Sequence, residues 1–212
     1  MSADLLEPIR GTMTAQPVLI FLAGPNGAGT TTFFDEYLEP FGMPYVNADR
    51  IARELRSADP RASAEAIDRG AFTDAERLRA AFIQARLSFC TETVFSDPER
   101  SKLRSLEDAH ARGFAIFLIF IGLDSAALSV ARVKSRARHG GHDVPTEKLH
   151  ARFPRTLANL AAAIPLVDEA FVFDNSSYDS PYRIVAVYRE GRLVSRHAPV
   201  PAWATKLPAL RG

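Results

Sequence analysis

Residues 18–32 read Val18-Leu19-Ile20-Phe21-Leu22-Ala23-Gly24-Pro25-Asn26-Gly27-Ala28-Gly29-Thr30-Thr31-Thr32. Six apolar residues ending on a glycine are the pattern of a parallel strand buried on both faces. The glycine-rich turn then runs into a helix start. This order matches the phosphate-loop pattern G-x-x-x-x-G-K-[ST] at Gly24, Gly29 and Thr31. Small residues let backbone N–H groups wrap a phosphate chain, and the helix N-terminus adds a favourable dipole. The spacing assigns Gly24, Asn26, Gly27, Ala28, Gly29, Thr30, Thr31 and Thr32 to the phosphates of a nucleotide. Thr31 is placed to offer its hydroxyl to Mg²⁺. The competing reading is a glycine turn with no ligand.

Thr30 stands where the pattern requires lysine. That lysine normally reaches the β- and γ-phosphates and stabilises charge during transfer. Threonine is neutral and too short. Three explanations compete: a substitution that silences an enzyme, a natural nucleotide binder with little catalysis, or another base brought in by folding. Of the chain's 26 bases only four are lysines, Lys102, Lys134, Lys148 and Lys206, and all lie far from the loop in sequence.

Outward from the loop, apolar runs of strand length alternate with helical patterns. Helices are expected over residues 30–38, 48–56, 73–87, 97–113, 124–139 and 146–163. In the third, Thr73 and Glu76 have capping-box spacing. In the fourth, Asp97 is the expected cap, with Pro98 in the first turn. Strands are expected over 44–46, 89–95, 114–121 and 170–173, and a hairpin over 183–188 and 192–196. The alternation implies an α/β fold, one domain over residues 1–212, with a mostly parallel sheet flanked by helices and a C-terminal hairpin. Ligands of such sheets bind beyond the carboxyl ends of the strands.

The 212 residues are 47% hydrophobic and 24% charged, with a net charge of +1. This balance excludes a disordered chain and argues against coating nucleic acid through bulk charge. A single cysteine, Cys90, leaves no intrachain disulfide and fits the cytoplasm. The apolar runs are too short to span a bilayer. The first 16 residues lack the shape of a signal peptide.

Several motifs in order resemble the zeta toxin family of small kinases. They are the loop; Val46-Asn47-Ala48-Asp49; the strand Phe89-Cys90-Thr91-Glu92-Thr93-Val94-Phe95-Ser96; and Arg132-Val133-x-x-Arg136. After these come Gly140-Gly141-His142-Asp143-Val144-Pro145, Arg152-Phe153-Pro154-Arg155, Asn159-Leu160 and Phe173-Asp174-Asn175-Ser176. The glycine-pair stretch looks more like the stand-alone type than the antidote-paired type. The resemblance implies a P-loop kinase fold and transfer of phosphate from ATP, with Mg²⁺, to the sugar of UDP-N-acetylglucosamine. It leaves an antidote protein as a possible partner and no role for nucleic acid or a membrane. A non-catalytic nucleotide or UDP-sugar binding module, and a kinase with a different small acceptor, are the alternatives.

By the same resemblance, Asp49 is the base that takes the proton of the accepting hydroxyl, and Glu92 binds hydroxyls of the sugar. Asn47, Thr93 and Arg155 are assigned to the substrate. The bland reading of Asp49 is a helix N-cap, and that of Glu92 a structural partner of an arginine. Residues 132–155 carry seven bases against two acids, so they hold +5 and the rest of the chain −4. Arg132 with Arg136, and Arg152 with Arg155, share helix faces. Arginine grips phosphate oxygens with a planar fork. Arg136 and Arg152 are therefore assigned to phosphate, in a lid-like clamp over residues 124–163. A solvated surface is the preferred reading for Lys134 and Arg138. His142 falls in the lid with no firm role.

Overall fold

The computed structural model describes residues 3–139 and 143–210. Gly140, Gly141 and His142, read above as a hinge and lid, lie outside the described residues. The chain builds a mixed α/β structure, the P-loop kinase fold. Its elements are α1 Glu7–Met13, β1 Val18–Ala23, α2 Thr30–Phe33, β2 Tyr45–Val46, α3 Ala48–Ala58, α4 Ala64–Ala85, β3 Phe89–Thr93 and α5 Ser101–Ala111. They continue with β4 Ala115–Gly122, α6 Ala126–Arg138, α7 Thr146–Ala163, β5 Glu169–Asp174, β6 Arg183–Arg189 and β7 Arg192–Arg196.

The strands form one sheet in the order β2-β3-β1-β4-β5-β6-β7. The first five are parallel, and β6 and β7 return antiparallel as the expected hairpin. Every residue of β1 and of β4 is buried. Their side chains alternate between two cores. Leu19, Phe21, Ile116, Leu118 and Phe120 face one, and Ile20, Leu22, Phe117, Ile119 and Ile121 face the other. Burial on both faces explains why these strands read as continuous apolar runs. The chain leaves β1 toward β2 and β3 and later returns to its other side with β4. The carboxyl end of β1 is therefore the switch point where such sheets bind ligands.

Three local readings are corrected. The helix expected from Thr73 begins instead at Ala64, capped by the Ser63 hydroxyl on the Ala66 N–H at 3.2 Å. Thr73 lies inside it. The helix expected from Asp97 begins at Ser101. Asp97 still serves its start, since Oδ2 accepts from the Ser101 hydroxyl at 3.0 Å. The helix after the loop is α-helical only to Phe33 and widens into a π-helical turn over Phe34–Leu38.

At the end of β4, a Cβ on Gly122 would lie 2.1 Å from the Trp203 ring. Trp203 is buried and its indole N–H donates to Asp174 at 3.2 Å. The ring cannot move without losing that bond. Gly122→Ala is expected to lower stability by about 1–3 kcal/mol, the usual cost of overpacking, seen as a lower urea midpoint.

Candidate active site

The loop Gly24–Gly29 leaves β1 at the switch point and is braced from three directions. Ser129 of α6 donates its hydroxyl to the Asn26 carbonyl at 2.6 Å. The Asn175 amide donates to the Ala28 carbonyl at 2.8 Å. The Tyr182 hydroxyl donates to the Gly29 carbonyl at 2.9 Å. Sequence reasoning missed Ser129 and Tyr182, because they come from α6 and from the turn before β6. Gly29 has φ +89°, and a Cβ there would lie 2.8 Å from the Asn175 amide nitrogen. Only glycine fits both its backbone and its surroundings.

A cavity of about 440 Å³ opens over this loop. Gly24, Asn26, Gly27, Gly29, Thr30, Thr31 and Thr32 line it, together with Asp49, Glu92, Thr93 and Arg136. Ala28 is buried beneath the loop. A second cavity of about 420 Å³ lies beside the first. Asn47, Asp49, Glu92, Thr93, Arg152 and Arg155 line it, with Arg79, Asp97 and Lys102. Asp49, Glu92, Thr93 and Val94 belong to both walls, so the cavities meet at two carboxylates. Arg136 thus stands over the loop, whereas Arg152 and Arg155 stand over the neighbouring cavity. The two arginine pairs face different cavities.

Glu92 lies near the carboxyl end of β3 and accepts hydrogen bonds from four side chains. They are Thr30 at 2.5 Å, Thr31 at 3.1 Å to each oxygen, Asn47 at 2.6 Å and the Tyr45 hydroxyl. Burial, then the Glu92 charge, push the Tyr45 hydroxyl far above its ordinary pKa. Tyr45 therefore stays a donor.

Asn47 is the N-cap of α3, its Oδ1 accepting from the N–H groups of Asp49 at 2.7 Å and Arg50 at 3.1 Å. Asp49 is not the cap. It sits in the first turn with its carboxylate turned to both cavities. Burial, and then Arg155, pull the Arg152 guanidinium below its ordinary pKa, and nearby Asp49 opposes them.

Behind the second cavity, Glu76 is shared by Arg79 and Lys102. Both cations are buried. Arg79 also donates to Thr91 at 2.7 Å. Burial, and then Arg79, lower the Lys102 pKa, while Glu76 raises it. Asp97 is a second carboxylate beside Lys102, so two carboxylates face these two cations, and Arg152 and Arg155 add positive charge to the cavity. Arg53 and Arg56 of α3 line the first cavity. Sequence reasoning assigned none of Arg53, Arg56, Arg79 and Lys102, which reach the site only through helix packing.

Asn26 Oδ1 and Arg132 Nε over the loop, and Asp97 Oδ1 in the second cavity, are buried without a protein partner. Buried polar atoms need partners, and ligands in the two cavities would supply them. A phosphate oxygen on the loop would accept from Arg132 Nε and the Thr31 hydroxyl would hold Mg²⁺, whereas Asn26 Oδ1 and Asp97 Oδ1 are acceptors and would take a donor. Asp174, by contrast, is spent on structure, accepting from Ser176 at 2.5 Å and pairing with Arg183 at 3.1 Å.

The zeta toxin family model matches residues 5–192. The chain belongs to the zeta toxin family. At the level of the family it is a kinase-type phosphotransferase. An uncharacterized protein of Haemophilus influenzae is 26% identical over 134 residues, covering 63% of this chain and 91% of that protein. A crystal structure of AvrRxo1-ORF1:-ORF2 with ATP shares the fold with TM-score 0.69 and 18% identity. The alignment covers 92% of this chain and 64% of that one, so the zeta-type chain spans less than two thirds of that neighbour. The PezAT chromosomal toxin–antitoxin system of Streptococcus pneumoniae matches with TM-score 0.60 and 16% identity, over 87% of this chain and 78% of that one. Among the described residues no helix is long and apolar enough to cross a membrane.

Proposed function

We propose that this zeta-type protein transfers phosphate from ATP to the sugar of UDP-N-acetylglucosamine, at a rate reduced by Thr30. The observation that carries the reading is the junction of two cavities at Asp49 and Glu92, one floored by a phosphate loop and the other lined by Arg79, Lys102, Arg152 and Arg155 among its carboxylates. Backbone N–H groups of the loop hold the donor's phosphates. Thr31, its hydroxyl fixed by Glu92 at 3.1 Å, would hold Mg²⁺, which would neutralise charge on the phosphates, and Glu92 would also bind hydroxyls of the sugar. Asp49 orients the accepting hydroxyl and takes its proton. Lys102, Arg79, Arg152 and Arg155 offset the negative charge of the acceptor's diphosphate. Thr30 slows transfer because it is neutral and its hydroxyl is committed to Glu92 at 2.5 Å.

The reading places the protein in the cytoplasm, where both nucleotides occur, with an antidote protein as a possible partner class even though the sequence of residues 140–145 resembles the stand-alone type. The toxin–antitoxin neighbour supports that class. The test is phosphate transfer to UDP-N-acetylglucosamine, followed by mass spectrometry, for the natural protein and Thr30→Lys. Slow product formation is expected, rising about tenfold or more with the lysine, part of the 10²–10³ that one preorganised donor contributes. No phosphorylated sugar nucleotide from either form would remove the acceptor assignment.

A further inference from the structure

We propose that Arg132 supplies the cation that the phosphate loop lacks at Thr30, holding the β- and γ-phosphates of a nucleoside triphosphate from the side of α6. The proposal rests on the nucleotide reading of the loop cavity. Arg132 lines that cavity. Its root is fixed. Ser129, one turn earlier on α6, is 1% exposed and bonded to the Asn26 carbonyl, and Val133 beside it is fully buried. A Cβ on Gly27 would lie 3.1 Å from the Arg132 Cβ, so helix and loop are already in contact there.

The head of Arg132 is incompletely satisfied. Its Nη1 makes a long 3.5 Å contact with the Gly27 carbonyl, and the guanidinium lies 5.0 Å from the centre of the Tyr178 ring. Its Nε is buried and donates to no protein atom. A buried N–H without an acceptor is unfavourable, and an anionic oxygen on the loop would supply one. The guanidinium is always charged and its fork matches phosphate oxygens. Thr30 offers no competing charge, and its hydroxyl is turned to Glu92. The charge that a P-loop normally carries on its own helix arrives here from the helix docked against it.

The test compares five forms: the natural protein, Arg132→Ala, Arg132→Lys, Thr30→Lys and Arg132→Ala combined with Thr30→Lys. Two readouts need no acceptor, the preference for binding ATP over AMP and the rate of ATP consumption. In the natural background Arg132→Ala is expected to lower both, the rate by about 100-fold. With Thr30→Lys present, the same substitution is expected to cost under about tenfold, because coupled neighbours are not additive. Arg132→Lys, which keeps charge without the fork, is expected to fall between. Recovery in the double variant also shows that Arg132→Ala folds. Equal losses in both backgrounds, or no loss in the natural one, overturn the proposal while leaving the kinase reading intact. A natural protein that does not prefer ATP to AMP removes both.

Discussion

Asp49→Asn is expected to lower kcat for phosphate transfer by about 10²–10⁴-fold, the range contributed by a positioned general base, with ATP affinity unchanged. The substitution keeps shape and removes proton affinity. Its effect on folding is small, because Asn47 rather than Asp49 caps α3. A carboxylate in the first helical turn adds only about 0.3–1 kcal/mol through the helix dipole. The catalytic loss is therefore far larger than the stability loss. Steady-state kinetics at saturating ATP separate them. A variant with wild-type kcat would show that Asp49 is not the base.

Glu92→Gln is expected to lower transfer by about 10²–10³-fold and to move the Mg²⁺ midpoint to higher concentration. The carboxylate accepts from Thr30, Thr31, Tyr45 and Asn47 together. A glutamine has one accepting oxygen, and its amide group would face a donor. The variant also removes the negative charge beside the Thr31 hydroxyl. Asp49→Asn is expected to leave the Mg²⁺ midpoint in place, so the two carboxylates are told apart by metal dependence. An unchanged rate and midpoint in Glu92→Gln would remove Glu92 both from the sugar and from the support of Thr31.

The parts of the site that were legible in the sequence are those encoded locally. Val18 to Thr32 specifies strand, loop and helix within fifteen consecutive residues. Glu92 stood out because a carboxylate in an apolar strand needs a partner. The ion-paired wall of the second cavity was illegible, because Arg79 and Lys102 meet there from α4 and α5. Glu76 illustrates the confusion. Three residues after a threonine it has capping-box spacing, yet its carboxylate bridges those two cations inside the fold. The helix began earlier because residues from Ala64 extend its pattern and Ser63 supplies a better-placed cap. Asp97 was misjudged for a related reason. A cap can act across four residues when the intervening backbone turns back on itself, as its bond to Ser101 does.

Asn47 has a consequence for what else could occupy its place. Its oxygen is consumed by two backbone N–H groups, which forces its nitrogen toward Glu92 and Tyr45, at 2.6 and 3.0 Å. The side chain is a two-headed connector with opposite polarity at its ends. Aspartate would keep the cap but set a second carboxylate against Glu92. Serine would keep the cap but fall short of Glu92, and glutamine is a poor cap. Asparagine alone satisfies both ends, so the spacing between the carboxylate at Thr31 and the carboxylate of Asp49 is set by one amide group.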